Sequence, residues 1–179
     1  MSETNNMHAL VILVNEADEA IGTATKVDAH KLGLLHRAFS IMIYDYQGNI
    51  LMQQRAASKY HSPLLWTNAC CSHPTTELDI EEFAMLRLNE EMGLQLPVHF
   101  AFTFLYRAEL DGNMVEHELD HVYVAEWRGE GISPNPDEVA DYAWMSTIDI
   151  AVDIQQNPEK YTAWFQLLFP KFIEYVQKN

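Results

Sequence analysis

The sequence predicts a single α/β (α+β) domain in which mixed, mostly antiparallel sheets are flanked by helices. Three observations lead there. Apolar, β-branched runs joined by short turns recur in pairs, one strongly patterned helix interrupts them near residues 80–92, and the chain ends in a helical tail rich in aromatic residues. The 179 residues are 48% hydrophobic and 21% charged, with no Pro/Gly/Ser-rich or charge-rich tract to serve as a linker. Residues 1–179 are therefore expected to share one core.

Taken in order, 8–14 is a short β-like run, and turn residues around Gly22 suggest that it opens a hairpin. Residues 26–35, which include His30, are weakly patterned. The runs 36–46 and 50–55 are separated by Gln47-Gly48-Asn49, a hairpin signal. Thr76 followed by Asp79 reads as a capping box, Ile80, Ala84, Leu88 and Met92 form an i, i+4 stripe, and Gly93 supplies the stop. The polar side of that helix carries Glu81, Glu82, Arg87, Glu90 and Glu91, ordinarily a solvated face, although Glu90-Glu91 could also aim a carboxylate at a metal.

Phe100, Phe102, Phe104 and Tyr106 alternate with smaller or polar residues as in a strand, Asp111-Gly112 turns it, and 114–127 returns. On the return, Glu116, Glu118 and Asp120 share one face at a spacing of ~7 Å. Three like charges in a row are stable if the face is solvated or if cations bind there. A strand near 139–145 follows the Pro-rich loop 133–136. One or two helices complete the chain, with Trp164, Phe165, Leu167 and Leu168 as core residues and Pro170 kinking or splitting the last.

Chemistry concentrates in Trp66-Thr67-Asn68-Ala69-Cys70-Cys71-Ser72-His73-Pro74. Vicinal cysteines are poorly placed to staple a fold. On extended backbone Cys71 and His73 share a side while Cys70 faces away, which makes Cys71 the candidate for chemistry; the alternative is a pair of cysteines acting as small hydrophobes. The net charge of −15 argues against nucleic-acid binding, and an anionic ligand would have to be met by bound cations and a few focused basic groups from only 11 Lys+Arg. Arg55 and Lys59 are close enough in sequence to begin such a site. Residues 1–6 lack signal-peptide character, no apolar run is of membrane-spanning length, and unpaired cysteines suit a reducing cytoplasm.

The Trp66 to Pro74 stretch, with His30 and Leu34-Leu35-His36-Arg37-Ala38-Phe39-Ser40 before it and Tyr106-Arg107-Ala108 and Glu116-His117-Glu118 after it, closely resembles type 1 isopentenyl diphosphate isomerases, a family with the Nudix fold. The resembling motifs extend from Lys26 to Trp164. The resemblance implies a single Nudix-like domain that interconverts isopentenyl and dimethylallyl diphosphate through a carbocation. It implies Cys71 and Glu118, with Tyr106, as the proton-transfer residues, and His30, His36, His73, Glu116 and Glu118 as ligands of one divalent metal, Mn²⁺, Zn²⁺ or Mg²⁺. It further implies Glu91 as holder of a Mg²⁺ that bridges to the diphosphate, Lys26, Arg55, Lys59 and Arg87 as its cradle, and Trp164 as the cation–π partner. The helix ending Glu90-Glu91-Met92-Gly93 is similar to a degraded Nudix box: Leu78 and Leu86 stand where a hydrolase would have a glutamate and an arginine, and Ser72 replaces the leading glycine. A Nudix hydrolase and a non-catalytic metal-binding domain are the competing readings. The ligand class is a small allylic or homoallylic diphosphate, with a monomer or weak dimer expected. His8, His61, His99, His117 and His121 are read as surface or packing residues.

Overall fold

The computed structural model describes residues 9–75 and 78–178. Its strands are β1 (Leu10–Val14), β2 (Ala20–Thr25), β3 (His36–Tyr44), β4 (Asn49–Arg55), β5 (Trp66–Asn68), β6 (Cys70–Ser72), β7 (His99–Leu110), β8 (Met114–Glu126) and β9 (Val139–Ser146). Among the described residues four α-helices accompany them: α1 (Lys26–Leu32), α2 (Ile80–Met92), α3 (Thr147–Gln156) and α4 (Ala163–Lys178). Among the described residues no helix is long and apolar enough to cross a membrane.

Strand β3 organises the sheet. One edge pairs in parallel with β8 over nine residues, from His36 opposite Glu118 to Tyr44 opposite Glu126. The other edge takes β1 at His36, β6 at Phe39–Ile41 and β4 at Tyr44. Strand β4 then leaves to pair with β5 and β9. The expected 36–55 hairpin thus survives only at its turn. The remaining ladders are antiparallel except for the long β3–β8 pairing, which has no local signal because its partners lie about eighty residues apart in sequence.

Alternation along the strands separates two cores. Phe39, Ile41 and Ile43 of β3, Tyr123 and Ala125 of β8 and Cys70 of β6 pack against Ala84, Leu88 and Met92 of α2. The opposite face, with Met42, Val122 and Val124, packs against Ile150 of α3 and Trp164, Phe165, Leu168 and Phe172 of α4. Cys71 faces this second side, so the vicinal cysteines do diverge. Toward the N-terminal end of β8 the apolar face gives way to Glu116, Glu118 and Asp120, all buried. Their row is not a solvated one.

Helix α2 ends as expected on Gly93 in the left-handed conformation, and Asp79 is its N-cap; Thr76 and His8 lie outside the described residues. Helix α1 was not expected from its weak pattern, yet Thr25 caps its first turn, Asp28 follows three residues on, and Gly33 closes it. Gly22 is within β2, and the preceding turn is held by the Asn15 carboxamide, which accepts from the N–H groups of Ala17 and Glu19. Helix α4 runs unbroken through Pro170, and Leu167 is exposed instead of in the core.

The loop after β8 caps α2 from outside: the N–H groups of Ser133 and Asn135 donate to the carbonyls of Met92 and Glu91 at 3.0 and 2.8 Å. This contact delivers Glu138 to the helix end. At Gly93, φ is +65° and a Cβ would stand 2.6 Å from the Ser133 carbonyl oxygen. Gly93→Ala is therefore expected to cost more than ~1 kcal/mol through strain and clash together. Urea unfolding measures it, and wild-type stability would contradict the close approach.

Candidate active site

Register brings the polar side chains together. Because β3 and β8 are parallel with His36 opposite Glu118, the His36 imidazole and the Glu118 carboxylate emerge side by side. Antiparallel pairing of β7 places Tyr106 opposite Glu118 on the other edge, and β6 places Cys71 opposite Ser40 on the same face. Helix α1 adds His30 from above. Thr162 binds β5 through its N–H to the Trp66 carbonyl and its hydroxyl to Thr67, fixing the start of α4 so that Trp164 closes the side.

Ligand atoms of His30, His36, His73 and Glu118 lie within 4.8 Å of one another. His73 Nε2 is 2.9 Å from Glu118 Oε1, and His36 Nε2 is 3.4 Å from the same oxygen. The Nδ1 of His36 sits 2.8 Å from the Leu34 carbonyl and must donate to it. In neutral His36, Nε2 then presents a lone pair to a carboxylate oxygen in a dry interior. Both His36 Nε2 and His30 Nε2 are buried with no hydrogen-bond partner. Buried acceptors facing one another call for a cation between them, and three imidazoles with a carboxylate suit a divalent metal. The cluster fits one.

Glu116 lies beside this group and is joined to it through Tyr106, whose hydroxyl is 2.5 Å from Glu118 Oε2 and 3.3 Å from Glu116 Oε2. Burial and the neighbouring Glu118 raise the pKa of Glu116 well above the carboxylate range. Burial also pushes Glu118 upward, but where His36 or His73 turns a ring proton toward Oε1 that proton outweighs burial and holds Glu118 well below that range. The same desolvation lowers His30 to about 2, aided by His73 and Lys26, and lowers His73 to about 4. Neutral imidazoles are what a metal requires. Asp120, raised to about 8 by burial and Glu118, accepts from the Ser40 hydroxyl at 2.8 Å.

Cys71 lines a cavity with Tyr106, Glu116, Glu118, His61 and Trp164; about 30 Å³ of it is accessible to the centre of a water molecule. That is room for one or two waters. Burial pushes the Cys71 thiol up to about 12 despite Arg55. A protonated thiol and an ionised carboxylate therefore face one small, confined space.

A second, basic cleft adjoins the first and shares Lys26, Arg55 and Cys71 with it. Lys59, Arg87 and Glu91 complete its functional lining, so the four basic positions expected from the sequence do meet. Arg87 donates to Glu91 at 2.6 Å and also pairs with Glu90, while Lys59 pairs with Glu138. Glu91 is thus placed in the cleft and apart from the histidine cluster. Crowding shows in Lys26, whose pKa falls to about 8 through burial and the neighbouring Arg55 and Lys59. Arg55 also lies over Trp164, 5.1 Å from its ring centroid, and donates to the carbonyls of His61 and Ser62. Leu78 and Leu86 are exposed outside both pockets.

Sequence reasoning did not single out Glu138, which reaches the cleft from an irregular loop and carries no periodic signal. It treated His61 as a surface or packing residue. His61 is a packing residue within the site wall, edge-on to Trp164 with ring centroids 5.8 Å apart. His121 is likewise buried, 3.0 Å from Asp18, whereas His99 is exposed.

The family model for the NUDIX domain matches residues 34–165. An isopentenyl-diphosphate Delta-isomerase 2 of Photorhabdus laumondii is 45% identical over 160 residues, covering 89% of this chain and 90% of the relative. An isopentenyl-diphosphate Delta-isomerase of Serratia proteamaculans is 44% identical over 159 residues, covering 89% and 88%. The crystal structure of the DR0079 protein of Deinococcus radiodurans superposes with a TM-score of 0.75 at 16% identity, covering 91% of this chain and 98% of the other.

Burial first, then Arg55 and Lys26, holds His61 well below the ordinary histidine value. The unfolded chain takes up this proton near pH ~6.5 and the folded chain does not, so stability falls as pH drops below that point by about 1.4 kcal/mol per unit. His61→Phe keeps an aromatic wall and cannot titrate. Urea unfolding of metal-free protein is expected to show the variant gaining on the wild type as pH falls from about 7.5 to about 5; a pH-independent difference would contradict the buried, neutral imidazole.

Proposed function

The chain belongs to the NUDIX family and, within it, to the isopentenyl-diphosphate Delta-isomerases, and from that premise we propose how its residues interconvert isopentenyl and dimethylallyl diphosphate for isoprenoid biosynthesis. The observation that carries the reading is the meeting of the Cys71 thiol, the Glu118 carboxylate and the Trp164 indole in one confined pocket that adjoins a basic cleft. An acid and a base held beside a hydrocarbon suit movement of a double bond.

The diphosphate rests against Lys26, Arg55, Lys59 and Arg87, with the five-carbon unit directed into the Cys71 pocket. His30, His36, His73 and Glu118, with Glu116 alongside, would hold one divalent metal (Mn²⁺, Zn²⁺ or Mg²⁺), and Glu91 would hold a Mg²⁺, their chemistry being to supply the positive charge that buried carboxylates and a polyanion need. Isomerisation adds a proton to the terminal alkene carbon, breaking its π bond and leaving a tertiary cation. It then removes a proton from the carbon on the far side, whose C–H electrons form the new double bond. Cys71 and Glu118 exchange these two protons with the substrate. The Tyr106 hydroxyl fixes the direction of Glu118 through its 2.5 Å hydrogen bond, and the Trp164 face lies against the cation. Exclusion of water preserves that cation from capture. The same reading places the enzyme in the cytoplasm, as a monomer or weak dimer acting on a small diphosphate.

The test follows product identity after incubation of isopentenyl diphosphate with the protein and Mg²⁺. Dimethylallyl diphosphate is the expected product, with Cys71→Ala and Glu118→Gln each lowering turnover by at least ~10²-fold and Cys70→Ala retaining most activity. Free phosphate or diphosphate, or equal rates in all three variants, would overturn the assignment. Exhaustive chelation should likewise abolish turnover and readdition of divalent metal restore it, whereas full activity without metal would rule out a required ion.

A further inference from the structure

The two imidazoles that turn an unpartnered Nε2 into the histidine cluster are fixed from behind in different ways. His36 donates from Nδ1 to the backbone carbonyl of Leu34. His30 meets a side chain instead: the hydroxyl of Tyr60, 2.7 Å from its Nδ1. For Nε2 of His30 to offer a lone pair to a cation, Nδ1 must carry the ring proton, and that proton then needs an acceptor. Among the described residues the Tyr60 oxygen is the partner in place.

Tyr60 is well supported for such a task. It is half-buried, its ring packs edge-on against His61 at a centroid distance of 4.4 Å, and the Lys26 ammonium lies 5.6 Å from its centroid. Tyr60 also lines the basic cleft. The hydroxyl on His30 is thus held by contacts that belong to the ring and would outlast its removal.

We propose that Tyr60 is a positioning residue of the metal site, its phenol oxygen accepting the Nδ1–H of His30 so that Nε2 is presented to a divalent cation. This rests on the reading of the histidine cluster as a metal site. Tyr60 touches neither the ion nor the reacting carbons. It acts through His30, selecting the tautomer and orientation of that ring.

Tyr60→Phe isolates the hydroxyl, because the ring, its packing on His61 and its contact with Lys26 remain. Zn²⁺ is titrated into the full chain against a chromophoric chelator, without substrate, for the wild type, Tyr60→Phe and His30→Ala. The expected result is a loss of Zn²⁺ affinity of about 10-fold or more in Tyr60→Phe and a larger loss in His30→Ala. ¹⁵N-imidazole NMR of the zinc-loaded wild type should show a His30 Nδ1–H protected from solvent exchange, and that protection should be lost in the variant. Undiminished Zn²⁺ affinity and an unchanged His30 signal in Tyr60→Phe, with affinity lost in His30→Ala, would overturn the role of Tyr60 while leaving the metal site standing. Equal Zn²⁺ binding by wild type and His30→Ala would overturn both.

Discussion

A row of carboxylates lies inside this protein, and the rest of the site follows from the need to neutralise it. Glu116, Glu118 and Asp120 are all buried on one face of β8, a position that ionised groups tolerate only with counter-charge or protons. Each of the three is stabilised differently. Glu118 is held ionised by imidazoles from His36 and His73, Glu116 is driven toward its protonated form, and Asp120 is raised and receives the Ser40 hydroxyl. The nine-residue parallel ladder between β3 and β8 makes this possible, because it sets His36 beside Glu118 and Ser40 near Asp120.

Desolvation sets one proton-handling state of the pocket and the histidines, acting against it, set the other. A thiol that would ionise near pH ~8.5 in water stays protonated when buried among carboxylates, and a carboxylate flanked by imidazoles stays ionised. The adjacent cleft inverts the balance. In a chain of net charge −15, Lys26, Arg55, Lys59 and Arg87 converge on one cavity, partly offset by Glu91 and Glu138. Pairing with those acids fixes Lys59 and Arg87, the carbonyls of His61 and Ser62 fix Arg55, and Arg55 spans the two spaces by lying over Trp164.

What the sequence made legible was whatever has a short period. The stripe of Ile80, Ala84, Leu88 and Met92 marked α2, alternation marked β7 and β8, and the two-residue step from Cys71 to His73 placed them on one side with Cys70 opposed, as their shared cavity and the two separate cores bear out. Long-range facts were not legible. No local pattern announces that β3 pairs in parallel with β8, that Glu138 arrives from a loop, or that Tyr60 stands behind His30. The short helix α1 hid because a seven-residue element has too few turns to display a stripe, although its Thr25 and Gly33 caps were present to be read. The burial of Glu116, Glu118 and Asp120 was undecidable from spacing alone, since a solvated face and a cation-bearing one share the same period.

The most direct test of the central claim, that a buried acid and base shift the double bond by separate proton transfers, is proton and deuterium NMR of isopentenyl diphosphate turned over in D₂O. Deuterium in the newly formed methyl group of dimethylallyl diphosphate, with the diphosphate intact, is the expected result. Product formed without deuterium, in a site able to exchange its protons with solvent, would contradict it and point to internal transfer of the same hydrogen; cleavage at phosphorus would contradict the reading altogether.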